Sequence, residues 1–130
     1  MLPPRHRMRR AEDFSDAVRR GVRGGTSLLV LHLSEGGADN GPTGDRTTGA
    51  ALVGFVVPKA VGGAVVRNRV KRRLRALLRD RTTELRPGSR VVVRALAPSA
   101  SATSEELARD LDLAFGSARR KQRRRGGGAP

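Results

Sequence analysis

In the stretch Val66 to Arg79, VRNRVKRRLRALLR, the apolar positions are Val66, Val70, Leu74, Leu77 and Leu78. Spaced i, i+4, i+8, i+11 and i+12, they share one face at 100° per residue, which predicts a helix laid on a core. The same spacing sends Arg69, Arg72, Arg75 and Arg79 to the opposite side, with Lys71 and Arg73 on the flanks. Ser27 to Leu33 is a short apolar run, and Ala50 to Val57 and Arg90 to Leu96 are rich in β-branched residues. All three read as strands, with room for a short edge strand near Gly21 to Thr26. Glu12 to Arg20 carries Phe14 and Val18 at helical spacing and acids in its first turn, a first helix closed by Gly21, Gly24 and Gly25. Thr103-x-x-Glu106 is a capping box for a last helix whose apolar face is Leu107, Leu111, Ala114 and Phe115.

Read along the chain, the order is α-β-β-α-β-α with the extra edge strand, an α+β fold (an α/β sandwich) in which helices pack on a sheet. Residues 1–10 form a basic, Pro-containing arm, and 11–118 a single domain. Within it, 34–49, rich in Gly, Asp, Asn, Thr and Pro, is expected to be a flexible hairpin connection. The basic helix should end before Pro87-Gly88, and 119–130 is expected to be a disordered basic tail.

Charge narrows the function. Seven of the fourteen residues of the basic helix are Lys or Arg and none is acidic. The whole chain of 130 residues carries a formal charge of +15. The run Arg119 to Arg125 holds six of the basic residues; without it, 21 basic and 12 acidic residues still leave +9 on the rest. The folded part itself is therefore a polyanion binder, and a row of guanidinium forks matches phosphate oxygens bidentately. Cysteine is absent, which excludes a disulfide framework and a cysteine-based zinc site. No apolar run is long enough to span a membrane and no apolar segment follows the basic start, so the expected location is cytoplasmic. His6 and His32 have no metal-pair spacing, while Asp110 and Asp112, two apart on a helix, face different ways. Asn68, near a helix start, suits both an N-cap and an RNA contact.

The segment Gly54-Phe55-Val56-Val57-Pro58-Lys59, followed by Gly63-Ala64-Val65-Val66-Arg67-Asn68-Arg69-Val70-Lys71-Arg72, closely resembles the bacterial ribonuclease P protein component. Asp13-Phe14 with its Gly-ended helix resembles that family's first helix. Val91 to Arg94, Ala97-Pro98 and Leu107 to Phe115 resemble its closing strand and helix. The likeness covers roughly Arg5 to Phe115. It implies a central, mostly antiparallel sheet of about four strands with three helices, in the order α-β-β-β-α-β-α.

The resemblance implies an RNA-binding subunit of the endoribonuclease that removes the 5′ leader from precursor tRNA. Catalytic groups and the required Mg2+ belong to the RNA subunit, with none on this chain and no metal or cofactor held by it. Its partners are the catalytic RNA and precursor tRNA, without a membrane and without protein oligomerisation. Arg67, Asn68, Arg69, Lys71, Arg72, Arg73 and Arg75 are expected to dock on the RNA subunit. Phe14, Val18, Leu31, His32, Phe55, Val57 and Lys59 are expected to line a leader-binding cleft. Single-stranded RNA asks for a stacking platform in a positive groove. Here the chain departs from its relatives: it has no Tyr or Trp, and Leu28, Leu31 and Val18 stand where aromatics are common. Ala60 follows Lys59 where many relatives have a second Lys. The alternatives are a ribosomal-type structural RNA-binding protein, separated only by the Gly63 to Arg72 motif, and a protein nuclease, opposed by the lack of a carboxylate cluster or His pair.

Overall fold

The computed structural model describes residues 21–34, 51–85 and 88–127. The arm 1–10, the expected first helix and all but the first residue of the 34–49 loop lie outside the described residues.

Four strands, β1 (Val22–Gly25), β2 (Leu29–Ser34), β3 (Leu52–Val56) and β4 (Arg90–Ala95), form one sheet in the order β1-β2-β4-β3. The β1–β2 and β2–β4 ladders are antiparallel and the β3–β4 ladder is parallel. Among the described residues there are two α-helices, α1 (Ala64–Arg79) between β3 and β4, and α2 (Ser104–Gly127) after β4. The edge strand anticipated near Gly21 is β1, turned into β2 by Thr26, whose Oγ1 accepts from the Leu28 and Leu29 amides at 3.2 and 3.3 Å.

The expected hairpin across 34–49 is not formed, because β4 lies between β2 and β3. The reason is apolar pattern. Val91, Val92 and Val93 are all buried, so β4 is apolar on both faces, and such a strand is stable in the middle of a sheet.

One face of the sheet carries the main core. Leu29, Leu31 and Leu33 of β2 meet Val91, Val93 and Ala95 of β4, covered by Val70, Leu74 and Leu78 of α1 and by Leu107, Leu111, Ala114, Phe115 and Ala118 of α2. These are the helix faces the periodicity singled out, lengthened by Ala118. β1 comes unusually close to α2: a Cβ on Gly24 would sit 2.2 Å from the Ala114 carbonyl oxygen.

The capping box forms as expected. Glu106 Oε1 accepts from the Thr103 amide at 2.8 Å, and the Glu106 amide donates to Thr103 Oγ1 at 3.1 Å. The Thr103 amide, donating to it, and then the Thr103 hydroxyl beside it hold the Glu106 carboxyl below its usual range. That contribution to stability is complete above the ordinary glutamate range and is lost as pH falls through the depressed folded-state value. Thr103→Ala should cost about 1 kcal/mol in thermal or denaturant unfolding.

Over 119–127 the expected disordered tail is corrected, while 128–130 lie outside the described residues. α2 continues unbroken to Gly127. Ala118 is buried against the core, Lys121 Nζ donates to the Arg23 carbonyl at 2.6 Å, and the Arg, Lys and Gln that follow are good helix formers.

Candidate nucleic-acid interface

α1 begins at Ala64, with Gly63 as its N-cap and neither a side-chain cap bond nor an acid in the first turn. Asn68 is therefore not the cap; it lies one turn inside the helix and is exposed. Gly62 makes the entry possible: its φ is +156° and a Cβ there would meet Val66 at 3.0 Å. The result is a bare positive helix end with Arg67, Asn68 and Arg69 just behind it, an arrangement suited to phosphate. Arg67 is half-buried, and its Nε is buried without a hydrogen-bond partner.

Farther along α1, Arg69, Arg72, Arg73, Arg75 and Arg79 line a cleft of about 780 Å³ with Leu77, Asp80 and Ser104. Arg69 and Arg72 are exposed, while Arg73, Arg75 and Lys71 are half-buried. Two of these arginines also hold the neighbouring turn Ala97–Ser101 and its end: Arg73 Nη1 donates to the Ala102 carbonyl at 2.8 Å, and Arg69 Nη2 to the Ala100 carbonyl at 3.3 Å. Those bonds join residues about thirty positions apart, and nothing in the helical period foretells them. The cleft thus gathers Arg69, Arg72, Arg73 and Arg75 of the expected docking residues and adds Arg79. Arg67, Asn68 and Lys71 lie outside it. Val65, 78% exposed, is another residue the sequence reading passed over, and it shares a helix face with Asn68 and Arg69.

Among the described residues, those expected around the leader are not gathered on one face. Leu31 is 0% exposed, in the core beneath α2, and this placement overturns it as a contact residue. Phe55 and Val57 are half-buried and pack against that same core. Lys59 is exposed, at the start of the Lys59–Val61 turn. Phe14 and Val18 lie outside the described residues. Of the expected strand residues that are described, only His32 points to the sheet face away from α1 and α2. The cause is the two-residue period of a strand, in which neighbours along β2 serve opposite faces.

His32 has company that sequence reasoning missed. Register places Arg23 of β1 and Val92 of β4 beside it, and Arg94 two residues along β4, opposite Val30. Arg23 and Arg94 are exposed. Burial, then the charges of Arg23 and of Arg94, lower the His32 pKa from its ordinary value. Lower on this face Val92 is buried between Leu52 and Val56. Parity counted from His32 across the strands is the signal that could have found this set.

Among the described residues no group of three His, Cys, Asp or Glu could hold a metal ion, and no helix is long and apolar enough to cross a membrane.

The family model described as Ribonuclease P matches residues 2–119. A protein named ribonuclease P protein component from Streptomyces griseus is 57% identical over 129 residues, 99% of each chain. One from Beutenbergia cavernae is 58% identical over 112 residues, covering 86% of this chain and 87% of that one. In three dimensions the chain is similar to the Staphylococcus aureus RNase P protein, with a TM-score of 0.72 at 19% identity over 87% of this chain and 94% of that one. The Thermotoga maritima RNase P protein gives a TM-score of 0.65 at 21% identity over 89% and 97%. On the match to its sequence and the agreement in fold, this chain belongs to the ribonuclease P protein component family.

Proposed function

We propose that the two surfaces divide the work of a ribonuclease P protein component, the protein subunit of the tRNA-processing endoribonuclease. α1, from its bare N-terminus through the arginine cleft, docks on the RNA subunit. The face bearing Arg23, His32 and Arg94 takes the single-stranded 5′ leader of precursor tRNA. The catalytic groups and their Mg2+ are assigned to the RNA, and the complex to the cytoplasm. The observation that carries this reading is the cleft of five arginines on one helix, rigidly seated on the core. Structured RNA is engaged through shape and phosphates, which a fixed comb of guanidinium groups serves well. Membership of this family disfavours the ribosomal-type alternative.

Neutralising phosphates lowers the ionic demand of folding and substrate binding by the RNA. The expected result is strong stimulation of 5′ cleavage by a cognate RNA subunit at low Mg2+, with precursor bound more tightly than mature tRNA. No stimulation, or equal affinities, contradicts the proposal.

The leader surface has its own pH signature. In the free protein the His32 pKa is lowered, whereas leader phosphates favour the imidazolium, so binding takes up a proton. Leader affinity should therefore rise as pH falls from about 7 toward 5.5, and His32→Asn should flatten that rise. A profile unchanged by the substitution removes His32 from the leader site.

A further inference from the structure

The C-terminal half of α2 is a second strongly basic surface, and the docking role of α1 does not use it. From Leu113 to Gly127 there is no acidic residue, while Arg119, Arg120, Lys121, Arg123 and Arg124 crowd two turns of helix. They are not equivalent. Arg119 lies over the Phe115 ring, 5.3 Å from its centroid, and Lys121 is tied to the β1 edge through the Arg23 carbonyl. Arg120, Arg123 and Arg124 are exposed, and their i, i+3, i+4 spacing puts them on one side. The helix beneath is fixed by Ala114 and Ala118, both buried, so this is a rigid comb of cations. The family match ends at residue 119, so the exposed arginines lie beyond it.

Ser104, at the start of α2, lines the α1 arginine cleft, whereas Arg124 is twenty residues farther along the helix. At 1.5 Å per residue Arg120 to Arg124 lie about 24 to 30 Å along α2 from Ser104, while the other end of the cleft, Leu77 and Asp80, also lines a depression with Gly116 and Arg119. α1 covers the β3 side of the sheet and α2 reaches β1, the opposite edge. The basic surface therefore runs on from the α1 cleft along α2, a length that suits a large folded RNA rather than a small ligand. Among the described residues the ring nearest to the comb, Phe115, is buried, and none of them offers a platform for unstacked bases there. We infer that Arg120, Arg123 and Arg124 bind the phosphate backbone of a double-helical segment of the RNA subunit, as a second anchor on a different helix from the α1 cleft. Two anchors on one rigid body convert the second contact into an intramolecular one, which raises affinity without sequence-specific contacts.

The inference rests on the RNA subunit being the docking partner, and the test separates the two. Full-length protein is titrated against the RNA subunit from roughly 0.1 to 0.4 M salt. The variants are Arg120→Gln/Arg123→Gln/Arg124→Gln, the same positions changed to Lys, and Arg67→Ala/Arg69→Ala. The Gln triple should bind at least tenfold more weakly at low salt, with the salt slope shallower by about two to three. The Lys triple should keep the slope, and affinity of the Gln triple for a short single-stranded leader oligonucleotide should be unchanged. A wild-type slope in the Gln triple while the α1 variant flattens overturns the second anchor alone. A wild-type slope in both overturns the docking proposal as well. Equal weakening by Gln and Lys, or tighter binding of the wild type to anionic vesicles than to RNA, also overturns it.

Discussion

Arg67→Ala/Arg69→Ala is expected to weaken binding of the RNA subunit about 100-fold at low salt, close to 3 kcal/mol. The size follows from position. Arg67 is half-buried one turn behind the uncapped start of α1, where no acid in the first turn offsets its charge, so that charge adds to the positive helix end. Arg69 is exposed beside it, with one long bond to the Ala100 carbonyl at 3.3 Å that a phosphate can outcompete. Each charge-assisted contact to phosphate also releases condensed counterions, so the salt slope should become shallower by about two. The melting temperature should move little, since neither side chain is part of the apolar core. A comparable affinity loss accompanied by a large fall in melting temperature would mean that the pair supports the fold rather than the contact.

Gly24→Ala should be the most damaging single-methyl change among the described glycines. Its Cβ would meet the Ala114 carbonyl oxygen at 2.2 Å and the Ala118 amide nitrogen at 3.2 Å, both backbone atoms of a helix that cannot yield locally. Either α2 lifts from β1 or the edge strand shifts. Overpacking of this kind costs about 3 kcal/mol, of the order of 10 °C in Tm. Gly25 is the internal control: a Cβ there meets only a Val30 methyl at 3.8 Å, so Gly25→Ala should leave Tm nearly unchanged. Equal melting temperatures for the two variants would contradict the close β1–α2 contact. Because Lys121 is anchored to Arg23, lifting α2 should also displace the Arg120–Arg124 comb.

What could be read from the chain tracks how local each feature is. Helical period named the buried stripe of α1, and the Thr103–Glu106 pair and the Leu107 to Phe115 face appear as written. These depend on neighbours three or four residues away. The placement of β4 between β2 and β3 depends on pairings across sixty residues; its only sign was the Val91-Val92-Val93 run. The arginines that share the α1 cleft were legible because helix, charge and motif agree there. The leader residues were less so, because a residue's face on a strand turns on parity: Leu31 is core while His32, its neighbour, is not. Arg23 and Arg94 have no sequence relation to His32 and meet it only through register. The helical tail was missed for a different reason. A dense basic run repels itself, and only packing of Ala118 and the Lys121 tether explain why it stays wound.

The division between a docking helix and a leader face can be tested by proximity. The chain has no cysteine, so a single one can carry a photoactivated crosslinker at a chosen site. In the assembled enzyme with precursor tRNA, Arg72→Cys should crosslink to the RNA subunit and Arg94→Cys to the 5′ leader. Crosslinks from Arg94→Cys that fall on the RNA subunit and spare the leader, or from Arg72→Cys that fall on the leader, would contradict it.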